Sequence, residues 1–153
     1  MTDAYQSKAV AVDDLEARAV GSACLCLSVR KAARRMARLY DDALSPVGLT
    51  NGQFALLTML SARSDWTMQA LAEALGTDPS SLTAALKPLA RRGLVQTSPG
   101  EADRRKRLPA LSEAGAALLD QALPFWRGVQ AQAEAVLGKS AADRLRHDLA
   151  RLA

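Results

Sequence analysis

Between Thr77 and Ser112 the chain reads TDPSSLTAALKPLARRGLVQTSPGEADRRKRLPALS, and its turn-forming residues admit few structures. Asp78 is placed to cap a helix, and Pro79 falls in the first turn, where a missing N–H breaks no bond. Arg91 and Arg92 close that helix at the negative end of its dipole, and Gly93 stops it. LVQTS and RLPAL then flank a Pro99-Gly100 turn as two runs of strand length, which reads as a hairpin. Its tip carries Glu101, Asp103 and four consecutive cations, Arg104, Arg105, Lys106 and Arg107. A helix feeding directly into a hairpin with a basic tip is the unit around which the rest must pack.

The flanking sequence is helical. Residues 1–18 read as a loose arm. AVGSACLCLSVRKAARRMARLYDDAL, residues 19–44, reads as one long helix. Its Ala23, Leu27, Ala33, Met36, Ala37, Tyr40 and Leu44 recur at three- and four-residue spacing, with Lys31, Arg34, Arg35 and Arg38 on another face. Pro46 and Gly48 end it. Thr50 caps NGQFALLTMLSAR, which turns Phe54, Leu57 and Leu60 inward. DWT is a short extended piece, and MQALAEALG a compact helix stopped by Gly76. After the hairpin, Ser112 caps EAGAALLDQALPFWRGVQAQAEAVLG, with a kink expected at Pro124. Ser140 begins a last helix, with Asp143 in capping-box position. No repeat or low-complexity tract interrupts this order.

Charge is unevenly placed. The 153 residues sum to +4, yet Lys87 to Arg107 holds seven basic residues against two acidic ones, a local +5 that leaves −1 elsewhere. Such a patch on an otherwise neutral chain is the pattern of a nucleic-acid footprint. Aromatic residues are only 4% of the chain, while Ala and Leu are abundant, which favours helix over sheet. Asp3, Asp13, Asp14 and Glu16 leave no apolar segment for a signal peptide, and Pro46, Gly48 and Asn51 interrupt the longest uncharged run. No membrane span is expected. Cys24 and Cys26 would project about 200° apart on a helix, so free thiols in a cytoplasmic protein are expected. There is no phosphate-binding glycine loop, nucleophile elbow or carboxylate pair. Neither an enzyme nor a cofactor is expected. One histidine, His147, lies far along the chain from both cysteines, so no metal site is expected.

Two short helices and a hairpin in this order form a winged helix-turn-helix, in which the second helix enters the major groove and the hairpin tip reaches a neighbouring groove. Cations at the tip suit the narrow minor groove, and Lys87, Arg91 and Arg92 are expected to lie close enough to help neutralise phosphates. GLTNGQFALLTML, MQALAEALGTDPSSLTAALKPLARRGLV and DRRKRLPALSEAG, in this order and spacing, resemble the MarR family of bacterial transcriptional regulators over residues 22–150. The resemblance implies a mainly α fold with a small β-hairpin wing, and long N- and C-terminal helices that form an intertwined homodimer on pseudo-palindromic double-stranded DNA. On that reading 19–45 and 112–153 are dimerisation helices and 46–111 the DNA-binding domain, probed through Ser80, Ser81, Thr83, Ala84, Lys87, Arg91, Asp103, Arg104, Arg105, Lys106 and Arg107. The family's minor-groove arginine, two places after the wing aspartate, corresponds to Arg105. Relatives often carry arginine where this chain has Pro79 and Ala84. Direct reading of guanine is therefore expected to be modest, with Lys87 the one cation on the outward face of the helix.

Release from DNA requires a signal, and two readings stand. A small aromatic or anionic ligand would meet Arg30, Met59, Phe125 and Trp126, which are equally placed to be core residues. Alternatively, Cys26 falls where the organic-hydroperoxide-sensing branch of the family keeps its reactive cysteine, and Tyr40 where that branch keeps a tyrosine bonded to the thiol. There Arg30 replaces a second tyrosine, and Cys24 has no assigned part. A winged helix used for dimerisation or protein contact without DNA is the alternative from another class.

Overall fold

The computed structural model describes residues 14–63, 65–99 and 107–152. The chain divides into two packing units, Met1–Met36 and Ala37–Ala153. Helix α1 (Asp14–Ala23) begins inside the segment expected to be a loose arm, and α2 (Leu25–Leu44) follows after a break at Cys24. The expected single helix is thus interrupted. Backbone bonds of helical spacing still bridge the break, from Cys24 N–H to Val20 O and from Ser28 N–H to Cys24 O. Cys24 Sγ accepts from Leu27 N–H at 3.4 Å, the role a serine hydroxyl plays at a helix start.

In the second unit a short 3-10 turn, Ser45–Val47, leads to α3 (Asn51–Ala62), α4 (Met68–Ala74) and α5 (Pro79–Arg91). Strands β1 (Val95–Pro99) and β2 (Arg107–Leu111) pair antiparallel, from Val95 opposite Leu111 to Pro99 opposite Arg107. Helices α6 (Glu113–Leu137) and α7 (Lys139–Ala150) complete the chain. Local chemistry sets most boundaries. Thr50 and Gln53 form a reciprocal capping box, Thr67 caps α4, and Asp78 caps α5. Ser112 Oγ accepts from Gly115 N–H and donates to Gly93 O at 2.6 Å, tying the start of α6 to the end of α5.

The core of this unit is leucine. Leu44, Leu57, Leu71, Leu82 and Leu89 are fully buried, each stabilising the fold by roughly 2 kcal/mol. Phe54 stacks on Trp126, with ring centroids 6.1 Å apart. Trp66 is buried and donates its indole N–H to Met59 O at 2.8 Å, while Arg63 covers its ring. Gly115 lies so close to Leu94 that a Cβ there would run into the Leu94 carbonyl oxygen. That contact seats α6 against the entrance to β1.

One further expectation is corrected. Helix α7 starts at Lys139 with Gly138 as N-cap and no side-chain cap. Asp143 instead pairs with Arg146, and Ser140 Oγ accepts from Arg144. A nearby guanidinium satisfies each oxygen better than the backbone would. Helix α6 extends across Pro124, the position expected to kink it, and α5 likewise contains Pro88. Pro88 cannot donate to the Ala84 carbonyl, but Ala84 is exposed, so water can take that bond.

Candidate nucleic-acid interface

Helix α5 presents two faces of opposite character. Leu82 and Leu89 point into the core, while Ser80, Ser81, Thr83, Ala84 and Lys87 are exposed. The exposed face is thus the one expected to read DNA, held by the burial of the other. Its chemistry is more restricted than the sequence suggests. Asp78 accepts from Ser80 N–H at 3.0 Å and Ser81 N–H at 2.9 Å, as an N-cap should. It also accepts from both serine hydroxyls, Ser80 Oγ and, at 2.6 Å, Ser81 Oγ. The Ser80 hydroxyl bond, then that of Ser81 and the backbone N–H groups, hold the Asp78 carboxyl well below the usual carboxylate range. It is ionised throughout the neutral range. Each serine has one hydroxyl proton, and both are directed at Asp78, so the oxygens offer only lone pairs outward. Thr83 Oγ1 likewise donates back to Pro79 O at 2.8 Å. The hydroxyls at the start of α5 are therefore acceptors, suited to the amino groups of cytosine and adenine in a major groove.

The two arginines that end α5 differ. Arg91 is exposed in the last turn. Arg92, expected alongside it as a phosphate contact, donates from Nη1 to Gly48 O at 2.7 Å, a residue 44 positions earlier. Nothing local in the sequence announces that partner. Asp103, Arg104, Arg105 and Lys106 lie outside the described residues, as does the side chain of Arg107.

The residues singled out for sensing are divided between the two units. Trp126 and Met59 are half-buried and pack on the core, Trp126 through its stack with Phe54. Phe125 is 40% exposed and lines an open groove of about 450 Å³ with Leu39, Asp42, Ala43, Pro124 and Val129. Tyr40 is buried, and its hydroxyl donates to Gln130 Oε1 at 2.5 Å rather than being left for a thiol. Burial raises its pKa, and the charge of Glu134 adds to the effect. Gln130 Nε2 passes the bond on to Glu134, which accepts from Arg146 at 3.1 Å. In the first unit Cys24 is half-buried, while Cys26 and Arg30 are exposed.

A short helix, a turn, a capped helix with an exposed polar face, and a two-stranded hairpin behind it define a winged helix-turn-helix protein. Residues 49–106 match the MarR family. The chain is similar to the M. tuberculosis transcriptional regulator MosR in complex with DNA, at 42% identity and a TM-score of 0.75, covering 84% of this chain and 92% of that one. It is also similar to the HTH-type transcriptional repressor NicR of Pseudomonas putida, 34% identical over 101 residues, 66% of this chain and 64% of that repressor's length. A third relative is the organic hydroperoxide resistance transcriptional regulator of Bacillus subtilis, 30% identical over 99 residues, 65% of this chain and 67% of that protein. The chain belongs to the MarR family.

Proposed function

We propose that this chain is a homodimeric DNA-binding transcriptional regulator of the bacterial cytoplasm, a repressor that leaves its operator when a small aromatic or anionic ligand binds. The observation that carries the DNA-binding reading is α5, capped at Asp78 and seated on buried Leu82 and Leu89 with its polar face open. In this reading Ser80, Ser81, Thr83, Ala84 and Lys87 face the major groove, Arg91 meets a phosphate, and Arg104, Arg105, Lys106 and Arg107, steadied by Asp103, engage the minor groove. Residues 46–111 form the reading head, with 19–45 and 112–153 as dimerisation helices. Exposed apolar residues support that assignment: Val20, Leu25, Val29 and Met36 in the first unit, and Val136, Leu137, Leu145, Leu149 and Leu152 near the C-terminus.

A second signal is a thiol switch at Cys26. Its exposure and the likeness to the organic hydroperoxide resistance regulator favour it. Oxidation to the sulfenic acid would add bulk and polarity to an exposed helical position. Fluorescence anisotropy on the DNA upstream of its own gene separates the two. Release by benzoate and related aromatic acids, with no effect of an organic hydroperoxide, supports the ligand reading. Release by hydroperoxide in the wild type but not in Cys26→Ser supports the switch. Absence of any binding to that DNA or to a random duplex at low salt contradicts the regulator reading itself.

A further inference from the structure

Arg91 and Arg92 are adjacent, equal in charge and both exposed, yet the fold places them in different surroundings. Arg92 is the C-cap of α5, and its N–H closes the helix onto Pro88 O and Ala90 O. Its side chain reaches back to the turn that follows α2 and donates to Gly48 O at 2.7 Å. That carbonyl is well held. Gly48 has a φ of 66°, open to glycine at little cost, and its N–H donates to Ser45 O at 2.9 Å. Leu49 N–H then reaches to Leu44 O, and Leu44 is fully buried at the end of α2. On the other side, Gly93 N–H and Leu94 N–H bond to Ala90 O and Leu89 O, which fixes the residue that bears the guanidinium. Both ends of the contact are thus anchored in regular structure. One charged hydrogen bond joins the exit of α2 to the exit of α5.

We propose that Arg92 is a positioning residue for DNA recognition, a strut that sets the tilt of α5 against the end of α2 rather than a phosphate contact. The inference rests on the DNA-binding reading above. In a homodimer built on α2, such a strut fixes the separation of the two reading helices, and so the spacing of the half-sites they accept. Arg91, one residue earlier, keeps the phosphate role.

Two measurements test it. The first needs no DNA. Amide hydrogen exchange should quicken in Arg92→Ala at both 45–50 and 89–94, with neither segment changed in Arg91→Ala, and Arg92→Lys should restore slow exchange at both. The second uses a duplex selected by the wild-type protein from a random pool. Arg92→Ala is expected to bind it roughly fivefold more weakly and to discriminate less against duplexes with one base pair added or removed between half-sites. The slope of log affinity against log salt should not change. Arg91→Ala should instead lower that slope by about 0.9, the value of one phosphate contact. A slope lowered equally in Arg92→Ala would make Arg92 a phosphate ligand and overturn the proposal. So would unchanged exchange, or unchanged spacing discrimination. If the wild type selects no duplex, the DNA-binding reading fails, and exchange alone reports whether the strut exists.

Discussion

Leucine does opposite things in two regions of this molecule. Between Leu44 and Leu89 most leucines are buried, with Leu44, Leu57, Leu71, Leu82 and Leu89 all below 2% exposure. Leu145 and Leu149 in α7, and Leu152 just beyond its end, are all exposed, and the first unit leaves Val20, Leu25, Val29 and Met36 open. The reading head closes its core within one chain. The ends carry apolar side chains that stay exposed among the described residues, which is the pattern of surfaces completed by another copy. The difference is also one of chemistry. Between α7 and α6, Arg146 pairs with Glu134, and the one buried residue of α7 is the small Ala142 rather than a leucine.

If that division is real, substitutions on its two sides must fail in different ways. The largest effects belong to the head. Leu82→Ala removes a fully enclosed side chain and should destabilise the fold by about 2–5 kcal/mol, read as a loss of urea midpoint. Gly115→Ala, where α6 abuts the head, should be as damaging, because its Cβ would run into the Leu94 carbonyl oxygen. Next come the ends. Leu145→Glu with Leu149→Glu should leave the far-ultraviolet helical signal intact yet weaken self-association roughly tenfold or more, measured by sedimentation across concentration. A wild-type chain that sediments as a monomer of 16.3 kDa at micromolar concentration would remove the basis of the comparison. Arg105→Ala should spare both stability and association, and weaken DNA binding roughly tenfold with a shallower salt dependence. The smallest effect is expected from Ser81→Ala. It should cost about threefold in affinity, confined to one base position and to duplexes that place cytosine or adenine there.

Much of the head was legible because its signals are local. Thr50, Asp78 and Ser112 cap where their neighbours require it, and Gly76 and Gly93 adopt positive φ where the helices stop. The hairpin followed from its strand-length runs, although Pro99, expected in the turn, pairs opposite Arg107 at the end of β1. What escaped was set by partners distant in sequence, or by choices between near-equal bonds. Arg92 looked like a second phosphate cation, but in the fold it donates a hydrogen bond to the carbonyl of Gly48, 44 residues away. Trp126 was equally credible as ligand contact or core, and only the stack on Phe54 placed it in the core. The hydroxyls of Ser80 and Ser81 were read as outward hydroxyls, but their protons are held by the capping carboxylate. At Cys24 a sulfur acceptor interrupts a run that periodicity alone would continue. Asp143 matched a capping-box position, yet Arg146 offered it a stronger partner.

The central claim is that an exposed recognition helix and a basic wing bind duplex DNA. Anisotropy of the fully reduced wild-type protein on its own upstream DNA, titrated from about 50 to 200 mM salt, tests it most directly. The expected result is tight binding at low salt that weakens roughly a hundredfold or more over that range, with Arg105→Ala on a shallower line. Binding that is absent at low salt, or that does not change as salt rises, would contradict it.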